Sequence, residues 1–333
     1  MKTKPRSTSA PNIGEPLTEF WRELLANDEV KINADGAQGG VILADDKPRW
    51  WARDKHGNEV DPVERSRTCG SHRIIYNWLR GQKPAAKREL RFGPPPPPQR
   101  DGFFTGQPRH PLSIMARPWL GIELGDGRQI GCVANGFPFV AEGHFLALIG
   151  KFTDGDIVYP WIEQYITFET IKLILDLALA LGDAYAVGFN PPYGGASQEQ
   201  FHGHVVKIDG YPVERAARVP LVGGGAFPLY PAGCLILENA STETIASWVG
   251  RLRAYGIVSN LLIRERTAYV FPRRPGVGIV PEFPAGLIAF SELSGHWISS
   301  DESVYEALDE DCLRTALRKT TLPVDEAWGI AMG

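Results

Sequence analysis

The sequence of 333 residues has no apolar run long enough to cross a bilayer. Its most apolar helix candidate, Ile171 to Leu181, is broken by Lys172 and Asp176. That stretch also falls short of the roughly 20 apolar residues a membrane span requires. The first residues, MKTKPRSTSAPNIGEP, are basic and polar without an apolar stretch, so no secretory signal is expected there. Cysteine is scarce. Cys69, Cys132, Cys234 and Cys312 are scattered and form no Cys-x-x-Cys pair. This argues against a disulfide framework and predicts reduced thiols in a cytoplasmic protein. Cys69 and His72 in Cys-Gly-Ser-His supply at most half of a four-ligand zinc site. Nor is there an excess of one charge: the formal net charge is -4. A global basic field for nucleic acid is therefore excluded. An anionic ligand would have to be held locally, by backbone N–H groups and a few placed cations. No nucleic-acid and no membrane partner is expected.

What is present is the balance of a soluble globular chain, 43% hydrophobic and 22% charged. Residues 1–16 read as a disordered tail. Residues 17–115 read as an N-terminal region with a helix at Leu17–Ala26, a strand at Gly40–Ala44 and a helix at Arg73–Arg80. Pro94 to Pro98, after Gly93, form a polyproline segment, read as a stiff connector (93–98) in preference to a docking site for a protein partner. Residues 116–330 carry the most regular pattern. Strands are expected at Leu120–Leu124, Gln129–Ala134 and Phe145–Ile149. A helix is expected at Thr167–Leu181, capped by Thr167 and stopped by Gly182. Strands at Ala184–Asn190 and Gly203–Ile208 follow. A second set then repeats the order: a strand at Cys234–Glu238, a helix at Thr242–Tyr255, and strands at Ser259–Arg264 and Ala268–Pro272. A last helix is expected from the capping box at Ser299–Glu302 to about Leu308. Strands separated by single long helices predict an α+β fold with an antiparallel sheet.

The chemistry concentrates in residues 190–206, NPPYGGASQEQFHGHVV. In a strand, alternate side chains share a face. Gln200, His202 and His204 would then project together, with Phe201 and Val205 turned into the core. Gly194 and Gly195 allow backbone N–H groups to approach an anion closely, and Ser197 adds a hydroxyl donor. An imidazole can attack phosphorus and form a phosphoramidate. A second imidazole can give a proton or hydrogen bond to oxygens that gain charge. A bare His-x-His is equally a metal pattern or a decorated strand. No third ligand at matching spacing accompanies it, and no metal site is assigned.

The segment resembles the motif of the histidine-triad superfamily, in which three polar positions alternate with apolar ones after a Gly-rich loop and a Ser or Thr. Here it runs Tyr193-Gly-Gly-Ala-Ser197, two residues, then Gln200-x-His202-x-His204. The resemblance puts His202 at the nucleophile position and implies a HIT-like antiparallel sheet with flanking helices. A second match, Asn135-Gly-Phe-Pro-Phe-Val-Ala-Glu-Gly-His144, is similar to the family's substrate-side strand. It implies Asn135, Phe137 and Pro138 near the nucleoside, with His144 beside them. Asn260 to Ile263 and Tyr269 to Arg273 are similar to the C-terminal half of diadenosine tetraphosphate and GDP-hexose phosphorylases, which implies two related halves in one chain. The galactose-1-phosphate uridylyltransferases belong to the same branch. The first family histidine is Gln200 here, which makes zinc unlikely and no cofactor required. The third position, His204, matches the hydrolase branch. Asn190, Lys207 and Arg273 are further candidates for phosphate contact. The implied activity is a nucleotidyltransferase or phosphorylase on a nucleoside diphosphate sugar or dinucleoside polyphosphate, with phosphate or a phosphosugar as acceptor. A hydrolase using water and an inactive nucleotide binder are the alternatives.

Overall fold

The structure, a computed structural model, describes residues 12–34, 36–82, 119–123, 128–153, 156–158, 162–192, 194–196, 200–239 and 241–333. The polyproline run and Ser197 lie outside the described residues. The chain begins with α1 (Gly14–Ala26), β1 (Lys31–Ala34), β2 (Ala37–Ala44), β3 (Lys47–Arg53), β4 (Glu64–Cys69), β5 (His72–Asn77) and α2 (Trp78–Gly81). Next come β6 (Trp119–Glu123), β7 (Arg128–Ala134), β8 (His144–Thr153), β9 (Asp156–Val158), α3 (Phe168–Leu181), β10 (Tyr185–Phe189) and β11 (Gly203–Lys207). Then follow α4 (Pro212–Arg215), β12 (Arg218–Pro220), β13 (Ala226–Pro228), β14 (Leu235–Glu238), α5 (Thr242–Ala254), β15 (Ser259–Arg264) and β16 (Thr267–Pro272). The chain closes with α6 (Phe290–Leu293), β17 (His296–Ser299), α7 (Glu302–Ala307), α8 (Glu310–Thr320) and α9 (Val324–Met332).

One large antiparallel sheet runs β12-β13-β14-β16-β15-β10-β11-β8-β7-β6, with β9 on β8. It consists of two halves that meet at β10 and β15. Read outward from that seam, each half has the same order. The strand after the long helix is innermost, its hairpin partner is next, and the strand before the helix follows. Thus β10-β11-β8 mirrors β15-β16-β14, with α3 and α5 in equivalent places. The fold is the α+β, two-halved architecture the sequence pattern implies.

The caps explain where the two equivalent helices start. Thr167 accepts from Thr170 N–H at 3.2 Å, and Thr170 Oγ1 takes Thr167 N–H at 2.8 Å. Ser241 accepts from Thr244 N–H at 3.3 Å. Each such cap stabilises its helix by about 1 kcal/mol. Gly182, at φ 71°, ends α3 in a conformation that disfavours side chains.

The sheet separates two cores. One face carries Phe145, Ala147, Val187, Phe201, Val205 and Leu261 against α1, α3, α5 and α9. The other carries Ala186, Val206, Leu262, Tyr269 and Phe271 against α6, α8, β5 and β17. A smaller cluster joins Ala52, Val63, Leu79 and Phe137.

Two expectations change. Residues 73–80 are not one helix: Ile74, Ile75 and Tyr76 lie in β5, which pairs in parallel with β17, and only Trp78–Gly81 is helical. The β-branched pair and its tertiary partner override the helix pattern. The last helix starts at Glu302 with Asp301 as its cap, accepting from Val304 N–H. It is followed by α8 and α9, which the sequence reading did not contain.

Candidate active site

The histidine segment sits where β10 ends and β11 begins. Regular strand starts only at Gly203, one residue after His202. The division of faces is still the expected one, because Phe201 and Val205 enter the α1–α3 core while His204 lies on the opposite face.

His202 is held by buried polar groups. Gln164, fully buried, accepts His202 N–H at 2.7 Å and donates to the carbonyls of His202 and Asn190, each at 2.9 Å. The ring Nδ1 lies 2.9 Å from the Gln200 carbonyl. A carbonyl can only accept, so Nδ1 carries the proton and Nε2 carries the lone pair. This is the tautomer a phosphorus nucleophile needs. What Gln200 gives His202 is therefore its main-chain oxygen. The imidazole is only 3% exposed, whereas His204 is half-buried. A ring presented to a phosphorus atom beside the glycine turn is what the motif implies; in the structure His202 is enclosed.

His204 lies 5.5 Å from His202, ring to ring. It is paired opposite Gly188, and the ring of Phe290 covers that glycine. A Cβ at residue 188 would come within 2.4 Å of Phe290. The bare position thus lets Phe290 lie against His204, at 5.3 Å between centroids.

β8 brings a third imidazole. His144 Nε2 is 3.1 Å from His204 Nδ1. Asn135 Oδ1 accepts Phe137 N–H, which turns its amide nitrogen to His144 Nε2 at 3.0 Å. Phe139 N–H meets the other nitrogen at 3.4 Å. Two N–H donors compete for the one lone pair of a neutral ring, and an imidazolium would lose both. Burial, and then the charge of Arg80, hold His144 well below the usual histidine range. It stays neutral and shares a hydrogen bond with His204.

The Gly-rich turn is built for close packing. Side chains at Gly194 and Gly195 would collide with Pro191 and with Ala289, at 2.6 and 2.8 Å. Gly194 N–H is taken by the Pro191 carbonyl at 2.9 Å. It is thus turned inward and away from any bound anion. Asn190 is likewise absorbed: its Oδ1 accepts Asn260 Nδ2 at 2.7 Å and Phe290 N–H at 2.8 Å. Asn260 also donates to the Gly194 carbonyl at 2.5 Å. So β15, from the other half of the sheet, fixes the turn that precedes His202.

The chain shares its fold with yeast Ap4A phosphorylase Apa2. Apa2 in complex with Ap4A matches at a TM-score of 0.56 and 14% identity, over 94% of this chain and 98% of Apa2. Apa2 in complex with AMP matches at 0.54 and 13%, over 94% and 97%. No protein-family model matches the chain, and no curated protein matches it in sequence. At this identity the likeness to Apa2 is one of fold. It spans nearly the whole of both chains, so the N-terminal residues that match no motif share in it.

The expected site residues divide accordingly. His202, His204, Gln200, His144, Asn135, Asn190, Gly194 and Gly195 come together. Lys207 does not join them. It shares its strand face with Val205, and its Nζ donates to Thr18 of α1 at 3.1 Å, on the far side of the sheet. Phe137, expected at a nucleoside, packs with Ala52, Val63 and Leu79. Pro138 beside it is buried. Arg273 is buried at the end of β16 on the histidine face. Gln164, Asn260, Phe290, Glu292 and Arg80 were not foreseen as site residues. Only Asn260 carries a signal, as a polar residue at the start of an apolar strand. Among the described residues no cluster of three or more His, Cys, Asp or Glu could hold a metal ion. Nor is any helix of the described residues long and apolar enough to cross a membrane.

Proposed function

We propose that the chain is a nucleotidyl-transferring enzyme that works through His202, with a dinucleoside polyphosphate as donor and phosphate as acceptor. The observation that carries this is the Nδ1–Gln200 carbonyl bond, which puts the imidazole lone pair on Nε2, the nitrogen that would attack phosphorus. The fold held in common with an Ap4A phosphorylase supports the choice of donor. A nucleoside diphosphate sugar and a phosphosugar acceptor are served by the same chemistry.

In the first half-reaction His202 Nε2 attacks the α-phosphorus. The N–P bond forms as the bridging P–O bond breaks. The leaving oxygen departs with the electron pair and takes a proton from the His204 imidazolium. In the second half-reaction an oxygen of the acceptor phosphate attacks, the N–P bond breaks and its electrons return to Nε2. The acceptor's proton goes to His204. Splitting one displacement into two in this way is the gain from a covalent intermediate. Gln164 and Asn260 keep the ring and the preceding turn in place for both steps. Because His202 is 3% exposed, the nucleotide reaches it only when its cover shifts.

The four cysteines are all free, in keeping with a reducing, cytoplasmic setting. His204 at the third motif position favours one second reading, transfer to water. Intact-mass measurement after incubation with Ap4A tests both. The expected result is an added mass of one AMP on wild type and none on His202→Asn, discharged faster by phosphate than by buffer. Equal discharge in buffer selects the hydrolase, and no adduct under any donor ends the nucleotidyl-histidine proposal.

A further inference from the structure

The histidine face holds a buried charge cluster that the steps above do not use. Arg273, at the end of β16, is 1% exposed. Its backbone is fixed by Val258 and by the bridge to Thr321. One nitrogen, Nη1, donates to the Ile288 carbonyl at 2.5 Å, while Nε and Nη2 have no hydrogen-bond partner among the described residues. Leaving donors of a charged group unpaired in the interior costs several kcal/mol unless something occupies them. The adjoining segment ties Arg273 to the active turn. Ile288 holds the guanidinium, Ala289 packs on Gly195, and Phe290 N–H bonds Asn190. Asn260 Oδ1, next to Gly194, is also buried without a partner.

A second guanidinium approaches from the N-terminal segment. Arg80 Nη1 donates to the Phe137 carbonyl at 2.6 Å, and the group lies 5.8 Å from the Phe139 ring centroid. Its charge is felt by His144. Both arginines interact electrostatically with Glu292, which is 5% exposed and accepts Ala289 N–H at 2.9 Å. Neither arginine is in an ion pair among the described residues. Among the described residues, Glu292 is the one carboxylate acting on both guanidiniums.

We propose that Arg273 and Arg80 form the seat of a phosphate group other than the one His202 attacks, with Arg273 Nε and Nη2 as donors and Glu292 holding α6 in place between them. This rests on the reading of His202 as nucleophile for its meaning, but not for its existence. Two sources share the chemistry: free inorganic phosphate as acceptor, and the polyphosphate chain of the donor. The second half of the sheet, which carries no histidine motif, contributes Arg273, so the seat belongs to both halves.

The test is titration of the full chain with inorganic phosphate and, separately, with tripolyphosphate, at constant ionic strength with chloride as reference, read by calorimetry and by thermal shift. Wild type is expected to bind one of them saturably. Arg80→Gln and Arg273→Lys should each weaken that binding at least about tenfold, roughly the worth of one charge-assisted hydrogen bond. Arg80 is the half-buried partner, and its variant keeps the test open if Arg273→Lys does not fold. Preferential binding of phosphate, with a raised KM for phosphate in Arg80→Gln and an unchanged KM for the donor, assigns the acceptor. The converse assigns the donor's chain. Binding no better than chloride, or unchanged affinity in both variants, overturns the seat. Anion binding that survives in a chain that never forms a nucleotidyl adduct would keep the seat and remove the His202 reading.

Discussion

The two halves of the large sheet have the same strand order and opposite endowments. In the first half, residues 190–202 separate β10 from β11, and this excursion carries the Gly-rich turn, Gln200 and His202. In the second half only Glu265 and Arg266 separate β15 from β16. That turn is closed by Glu265 at φ 50° and leaves no room for a site. On the proposed reading the scaffold is common to both halves, and the length of one hairpin connection is what sets the site apart. The second half is nevertheless not idle. Antiparallel pairing of β10 with β15 places the start of β15 and the end of β16 beside the active turn. Asn260 reaches the Gly-rich turn for that reason, and Arg273 is placed on the same face.

The largest way to break this comparison is to remove the proposed nucleophile. His202→Asn should lower turnover by about 10³-fold or more, with the melting temperature held near wild type, because the main-chain bonds to Gln164 remain. Wild-type turnover in this variant would return the two halves to equality.

Acid should be the next strongest perturbation. Burial pushes His72 down to about 4 and His296 down to about 3, and holds His144 well below its usual range. Their folded pKa values lie below the unfolded value of about 6.5. Below that pH the unfolded chain binds protons that the folded chain refuses, so stability falls as pH falls. Between pH 6.5 and 5.5 the loss is about 1 kcal/mol per histidine, or about 3 kcal/mol together. Urea midpoints at pH 6.5 and 5.5 measure it. Phe substituted at His296 should flatten the slope by about a third.

Gly188→Ala comes third. It drives a methyl into Phe290, and repacking costs about 1–3 kcal/mol and moves the ring off His204. Its pairing partner across the seam, Leu262, already bears a large buried side chain, so Leu262→Met should cost less than half as much. Asn260→Ala tests the loan from the second half. It removes donors to Asn190 and Gly194, costs about 1–3 kcal/mol in stability, and should lower kcat while sparing the fold.

The smallest effect has the opposite sign. Gly203→Ala places its methyl 3.8 Å from Ala147 and Val187, beside a small apolar cavity lined also by Phe201 and Leu177. It should stabilise by about 0.5–1 kcal/mol in chemical denaturation, as loss of unfolded-state freedom is added to filled space. A destabilised Gly203→Ala would mean that the histidine strand has less freedom than its hairpin partner.

The sequence made some of this legible and hid the rest for physical reasons. Thr167 and Gly182 mark both ends of α3 because cap and stop chemistry are local. The echo of strand, helix and two strands announced the second half, since topology survives when identity does not. Alternation along 200–207 correctly sent Phe201 and Val205 to the core. The same alternation places Lys207 with Val205 rather than His204; its position near the motif in sequence masked its position across the sheet. Arg73–Arg80 reads as helix because the partner of residues 73–76, β17, lies far away in the chain, and no local pattern records such a pairing. Gln164 was invisible for a related reason: a glutamine in a connecting loop looks solvated until three buried backbone groups are found around it.

The parallel seam between residues 73–76 and 296–299 has a kinetic corollary. During synthesis the ribosome delivers Ile74 long before Trp297, and closing so large a loop is slow. The N-terminal strands must wait, unpaired on one edge, until nearly the whole chain has emerged. Arg80, three residues beyond β5, is positioned only when that seam zips. Nascent chains should thus acquire both the cover of the histidine face, which Phe290 and Trp297 supply, and the charge beside it last.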